Sequence, residues 1–187
     1  MHDLLSGKLV RFTSESPEAL AMVDSAWRRD SELHRLWDSD PAAMRSEATL
    51  KRWRTRQFIE NGPDDGYSFF SVRTLSGNEH IGDAMLRVNW PNRDAVLGMG
   101  IGDRTHWGRG FGTDALNLLL AFAFAELNLR RVTLGVFAYN RRAVRLYERA
   151  GFQMEGVMRG EVRREGQHLD GLYMGLLREE WRAMAAI

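Results

Sequence analysis

The stretch His106-Trp107-Gly108-Arg109-Gly110-Phe111-Gly112-Thr113-Asp114-Ala115 decides how the chain is read, because a glycine-rich turn there passes directly into an apolar segment with helical spacing. Glycine lets the backbone approach a ligand without a Cβ in the way, and the first turn of a helix leaves N–H groups without intrahelical partners. Aimed at one point and aligned with the helix dipole, those donors suit a phosphate or pyrophosphate. Two common phosphate turns are excluded by the spacing: no Gly-Lys-Ser/Thr follows, and Gly108-x-Gly110-x-Gly112 is not G-x-G-x-x-G. Three alternating glycines also fit a plain loop that opens a helix, and the turn alone leaves both readings open.

Working outward, the helix from near Gly112 carries Leu116, Leu119, Leu120, Ala123, Phe124 and Leu127, a broad apolar stripe that predicts burial. Asn128-Leu129-Arg130 ends it, and Arg131 to Phe137 reads as a strand. Ala95 to Gly102, upstream of the turn, reads as another. Gly98 and Gly100 inside it predict an interrupted ladder, from a bulge or a close approach by a ligand or other backbone, or else a poor strand with spare glycine. Strand, helix, strand implies a right-handed crossover and one parallel pair. Asn140 to Gly151 reads as a helix with Asn140 as N-cap and Gly151 past its end.

Elsewhere, Lys8 to Phe12 reads as a first strand, and Tyr67 to Arg73 with His80 to Val88 as a hairpin around Ser76-Gly77-Asn78. Phe152 to Val162 and Gln167 to Leu176 form a second hairpin around Arg164-Glu165-Gly166. Ser16-Pro17 starts a helix bearing Leu20, Val23 and Trp27, with Arg28-Arg29-Asp30 as a solvated end. Ser31 to Asp40 is irregular, with His34 isolated. A lone histidine there is more often structural, and its titration near neutral pH is the one chemical reason to keep it as a substrate contact. Pro41-Ala42 opens a helical stretch to about Asn61, Asn61 to Gly66 is a turn cluster, and Leu177 to Ala186 is a tail rich in helix formers.

An apolar content of 44% over 187 residues supports one sizeable core, so residues 1–187 are read as a single domain. Twenty-six Lys and Arg against 25 Asp and Glu leave a formal charge of +1, which argues for no nucleic acid and no anionic membrane as partner. The chain has no cysteine, which excludes disulfides, thiolate metal sites and a cysteine nucleophile, and suits a reducing compartment. Met1 to Lys8 does not read as a secretory signal. The longest apolar run, Leu118 to Ala125, falls far short of the roughly 20 residues of a membrane span. A cytoplasmic protein without a metal site is the expectation.

Taken together, Trp107-Gly108-Arg109-Gly110-Phe111-Gly112-Thr113, the crossover strand and Asn140-x-x-Ala143-x-x-Leu146-Tyr147-Glu148-x-x-Gly151-Phe152 resemble the GCN5-related N-acetyltransferase (GNAT) superfamily. Glu155-Gly156, Arg159, Gly166, Asp170, Met174, Leu176 and Glu180-Trp181 are similar to the branch that includes the ribosomal-protein N-terminal acetyltransferases. The resemblance is strongest from about Ala95 to Trp181. It implies an α/β fold of α+β type, with a mixed, mostly antiparallel sheet splayed between its fourth and fifth strands and flanked by helices. It implies acetyl-CoA as cosubstrate and an amine acceptor, a peptide N-terminus or a small molecule, and relatives often form homodimers. The resemblance assigns the pyrophosphate to the backbone amides of Arg109, Gly110, Gly112 and Thr113, and pantetheine to the backbone of Met99 and Ile101. It gives Asn140 the cofactor arm, and Tyr147 the role of acid to the leaving thiolate. As alternatives, Asn140 is only an N-cap and Tyr147 only a packed aromatic.

Two departures from the family pattern matter. Trp107 stands where the signature has glutamine or arginine, so side-chain help for the phosphates must come from elsewhere, with Arg104 and Arg109 as candidates. Val96 stands where many relatives carry a glutamate as general base, and no carboxylate lies between Ala95 and Ile101. His80, Asp83 and His34 are the substitutes on offer, unless water and a lowered amine pKa suffice. Trp27, Trp37, Trp53 and Trp90 are candidates for an acceptor site, or core. The alternatives for function are a detoxifying enzyme acting on a polyamine, amino acid or aminoglycoside, and a CoA-binding module without catalysis.

Overall fold

The structure is a computed structural model that describes residues 3–41, 43–60 and 66–185. Among these residues, seven strands form one sheet in the order β1-β2-β3-β4-β5-β7-β6. Strands β1 (Val10–Thr13), β2 (Tyr67–Thr74), β3 (His80–Asn89) and β4 (Asp94–Ile101) make an antiparallel meander. Helix α4 (Phe111–Ala121), extended by a π turn at Phe122–Glu126, then crosses over to β5 (Arg131–Phe137), which lies parallel to β4. The hairpin of β6 (Gln153–Arg164) and β7 (Gln167–Leu177) follows, with β7 inserted beside β5. Its two-residue turn works because Glu165 and Gly166 both adopt positive φ, 52° and 79°. The expected class and topology are those observed.

One face of the sheet is the core. Leu116, Leu119, Leu120 and Phe124 of the crossover are at most 1% exposed and pack on Val72, Leu86, Leu97, Val132 and Leu134. The stripe read from the sequence is therefore the buried face. Over the other face lie α1 (Pro17–Trp27) and α3 (Glu47–Glu60), which pack on each other. Ser16 caps α1 by accepting from the Ala19 N–H, with Pro17 at the first helical position, as the sequence indicates.

Two expectations are corrected here. The stretch Ser31 to Asp40 is not irregular: Ser31–Trp37 forms α2, because the Asp30 side chain accepts from the Glu32 and Leu33 N–H groups and caps it. Asp30 is thus a helix start rather than a solvated end. Helix α3 begins at Glu47 instead of Pro41-Ala42, since Ser46 Oγ accepts from the Thr49 N–H and sets the cap there. Ala42 and the turn cluster at 61–65 lie outside the described residues. Helix α5 (Arg141–Arg149) and a terminal α6 (Arg178–Ala185) complete the chain. Among the described residues no helix is long and apolar enough to cross a membrane.

Asp114, in the first turn of α4, fastens the start of the chain to the crossover. Its carboxylate accepts from the backbone N–H groups of Lys8, Leu9 and Val10 at 3.1, 2.7 and 3.0 Å. Gly7 is required beside it, because a Cβ there would sit 2.5 Å from Asp114 Oδ2. Asp114→Ala is expected to destabilise the fold by about 2 kcal/mol, the scale of lost charge-assisted hydrogen bonds. Chemical denaturation reads this, with m unchanged if β1 detaches only on global unfolding.

Candidate active site

Strands β4 and β5 pair over only three positions, Asp94↔Arg131, Ala95↔Val132 and Val96↔Thr133, and then part. A cavity of about 980 Å³ extends from this gap, with Leu97 to Ile101 on one side and Gly135 to Phe137 on the other. Gly102 N–H donates to Ile81 O at 2.8 Å, and the register between β3 and β4 runs unbroken from Gly82↔Ile101 to Asn89↔Asp94. By the alternation of an antiparallel ladder, the backbone polar groups of Ala95, Leu97, Met99 and Ile101 therefore point away from β3, toward β5. Two are satisfied by side chains: Thr133 Oγ1 donates to Ala95 O, and Trp107 Nε1 to Ile101 O at 2.7 Å. Those of Leu97 and Met99 face the gap.

The bulge expected at Gly98 and Gly100 is absent from the β3 ladder. The glycines serve the other face of the strand. A Cβ on Gly100 would fall 2.2 Å from Trp37 Nε1, and one on Gly102 would fall 2.3 Å from Trp27 Cδ2. The missing side chains let two indoles lie on the strand, edge to face with each other at 5.6 Å. Trp27, Trp37 and Trp53 line the cavity, joined by Tyr67 and Phe69. Trp90 does not: it is 48% exposed in the short turn between β3 and β4.

At the upper end, Gly108 and Gly110 take positive φ, 73° and 91°, and deliver the chain into α4. Helix α4 has no side-chain cap, and its first intrahelical bond is Asp114 N–H to Gly110 O at 3.0 Å. The N–H groups of Phe111, Gly112 and Thr113 thus lack intrahelical partners, and Gly108, Gly110, Gly112 and Thr113 line the cavity. The Arg109 side chain turns away: it donates to Thr105 O at 3.2 Å and lies over the Phe111 ring. Arg104 is likewise engaged, held by Asp30 and by Glu32 at 2.7 Å. Arg104 is thus neutralised by two carboxylates, while Arg109 carries no carboxylate and is aimed along the turn at Thr105 O.

Across the gap, Asn140 caps α5 by accepting from the Ala143 N–H at 3.2 Å through Oδ1, which leaves its Nδ2 protons for another acceptor. Tyr147, one face further along α5, is 6% exposed, lines the cavity and packs edge to face on Phe152. Among the described residues its hydroxyl has no hydrogen-bond partner, and burial pushes its pKa up to about 12.

The candidate bases are encumbered. Asp83 shares the face of Gly100, its cross-strand partner, but Oδ2 accepts from Arg54 at 3.1 Å and Oδ1 lies 2.9 Å from His80 Nε2. Arg54 also holds Asp24 at 2.7 Å, and its guanidinium lies over Trp53 and Phe69. His34 Nδ1 lies 3.1 Å from Arg28, and burial first, then Arg28, lowers its pKa, so it stays neutral. Val96 is 49% exposed on the open face. Sequence reasoning missed the Asp24–Arg54–Asp83 network, since no spacing joins three residues from α1, α3 and β3.

A cavity between parted strands, a row of unpaired strand groups and an uncapped glycine-led helix fit the amides and pyrophosphate of a CoA thioester. A family model described as an acetyltransferase (GNAT) domain matches residues 9–153. The chain belongs to the GNAT acetyltransferases. YdaF of Bacillus subtilis strain 168, a candidate ribosomal N-acetyltransferase, is 37% identical over 135 residues, 72% of this chain and 70% of that one. The prophage-derived uncharacterized N-acetyltransferase YokL of the same strain is 27% identical over 177 residues, 94% of each chain. In fold the chain is similar to a spermidine N-acetyltransferase from Vibrio cholerae solved in complex with CoA and spermine. That likeness has a TM-score of 0.76 at 24% identity and covers 92% of this chain and 96% of that one. This GNAT protein is an acyl-CoA-dependent N-acetyltransferase that uses acetyl-CoA.

Removing the cation of the buried network tests how strongly it ties α1 and α3 to β3. Arg54→Ala leaves Asp24 without its cation and Asp83 with His80 alone, and is expected to cost about 3 to 5 kcal/mol, read by thermal or denaturant unfolding. Asp24→Asn added to Arg54→Ala is expected to recover part of that loss, because one uncompensated charge is removed.

Proposed function

We propose that the chain moves an acetyl group from acetyl-CoA to a primary amine by direct attack in a ternary complex, with Tyr147 as the acid. The observation that carries this reading is the parting of β4 and β5, with Tyr147 lining the cavity it opens. Acetyl-CoA supplies an acetyl thioester, which a neutral amine attacks at its carbonyl carbon. Pantetheine runs along the free edge of β4 beside Met99 and Ile101, and the backbone amides of Arg109, Gly110, Gly112 and Thr113 take the pyrophosphate. Asn140 donates to the pantetheine arm through Nδ2. A backbone N–H of β4 that faces the gap, at Met99, stabilises the oxyanion. Catalysis then rests mainly on position, since both reactants are held in one cleft.

Tyr147 donates its proton to the departing sulfur as the C–S bond breaks, and the proton that the nitrogen sheds as the amide forms returns to the phenolate. A phenol with a raised pKa remains protonated across the working range, and its proton is available throughout. With Asp83 bridged by Arg54 and His80, and His34 held by Arg28, the acceptor ammonium loses one proton to water in the open cavity before the neutral amine attacks. Tyr147→Phe is expected to lower kcat by about ten to a hundredfold, somewhat below the usual general-acid range, with little change in the KM for acetyl-CoA. In the wild type, kcat/KM should climb with pH toward the pKa of the free amine and show no falling limb from Tyr147 below about pH 10. A falling limb near pH 8 that Tyr147→Phe abolishes would overturn the assignment of a high-pKa acid.

For the acceptor, a protein N-terminus is the first reading, supported by the YdaF relative. A polyamine is the second, favoured by one observation: aromatic walls stand beside Asp83 and Glu161, and Glu161 carries no arginine among the described residues. Thiol release against N-terminally free peptides and against spermidine separates them. The peptide reading expects kcat/KM for at least one peptide to exceed that for spermidine by tenfold or more.

A further inference from the structure

Trp107 raises a question that the glycine turn does not answer, because the residue expected there is a hydrogen-bonding side chain. Its indole is fixed in place: Nε1 donates to Ile101 O at 2.7 Å, at the end of β4. Onto that indole the first turn of α5 lays Arg142, with Cζ 3.6 Å from the ring centroid. An arginine stacked on a fixed aromatic loses little further freedom when it binds an anion, and its planar fork stays presented.

The charge around it is unbalanced. Arg28 and Arg54, on the acceptor side, are each matched to aspartates. Arg104, beside Trp107, is matched to Asp30 and Glu32. Arg142, Arg145 and Arg149 line the same cavity, and among the described residues none of their side chains takes part in an ion pair or hydrogen bond. Their spacing, i, i+3 and i+7, puts them on one face of α5. Glu32, the acid whose field reaches Arg142, is already held by Arg104; burial, and then Arg104 itself, lowers the Arg142 pKa. Three unmatched guanidiniums along one rim suit an anion larger than one oxyanion pair.

We propose that Arg142, positioned by Trp107, together with Arg145 and Arg149, binds the 3′-phosphate of the cosubstrate, separately from the glycine turn that takes its pyrophosphate. The side-chain cation that position 107 lacks is thus supplied by a different helix. This rests on acetyl-CoA as the cosubstrate and is independent of the acceptor and of Tyr147. Trp107 is a positioning residue, and the arginines are the contacts.

Calorimetric binding of CoA and of 3′-dephospho-CoA tests this without turnover, because the two probes share pantetheine and pyrophosphate. The wild type is expected to bind CoA about ten to a hundredfold more tightly, the range of one to two charge-assisted contacts. Arg142→Ala, and separately the Arg145→Ala/Arg149→Ala pair, should cut that ratio at least about threefold and leave the affinity for dephospho-CoA in place. Trp107→Phe, which keeps a stacking face but loses the bond to Ile101 O, should cut the ratio less than Trp107→Ala, which should lose it; unchanged melting temperatures show that the variants fold. A wild-type ratio near one overturns the proposal. So does an Arg142→Ala variant that weakens both probes equally, which would assign that cation to the pyrophosphate, or a Trp107→Ala variant that keeps the wild-type ratio.

Discussion

Everything at the site depends on β4 and β5 separating after three pairs. A strand edge buried in a domain without partners leaves N–H and C=O groups that must be satisfied, because an unmatched buried amide costs free energy on the scale of a lost hydrogen bond. The protein satisfies the groups at the ends of this edge from within. Thr133 closes the ladder at Ala95 O, and Trp107 closes it at Ile101 O. Between them, Leu97 and Met99 remain open on a cavity. A linear ligand with alternating amides is the complement of such an edge, much as a peptide adds to a sheet.

The two faces of β4 are also built differently. On the α4 side the strand is covered by core, and the helix start offers N–H groups. On the other side, Gly100 and Gly102 carry no side chains, so indoles from α2 and α1 lie against bare backbone. A larger residue at Gly100 would push Trp37 outward into the cavity. Gly100, which weakens β4 as a strand, is therefore what lets Trp37 lie against it. Strand stability is recovered from β3, whose register with β4 is continuous.

Much of this was legible in the chain. The crossover could be read because Leu116, Leu119, Leu120 and Phe124 repeat at helical spacing between two β-rich segments, and that forces a parallel pair. Asn140 and Gly151 bracket α5 through local capping chemistry. What escaped had nonlocal causes. Helix α2 is hidden in the sequence because Asp30, at the end of one helix, is the cap of the next and also binds Arg104. Gly100 signals an interrupted or closely approached strand, but a sequence does not say that a tryptophan some sixty residues away requires the space. Arg104 has the right charge near the right turn, but Asp30 and Glu32 neutralise it.

Arg142 belongs to the same class of oversight, and it shows how a balanced composition conceals an unbalanced site. A formal charge of +1 over 187 residues excludes a global field. It does not prevent three unmatched guanidiniums on one helix, with matched ones across the cavity. Read along the chain, Arg142, Arg145 and Arg149 are the solvated face of an amphipathic helix. Read in space, Arg142 lies on an indole that is itself tied to the last carbonyl of β4. The strand edge, the aromatic and the cation form one linked unit, so the position of the phosphate-facing charge is set by where β4 ends.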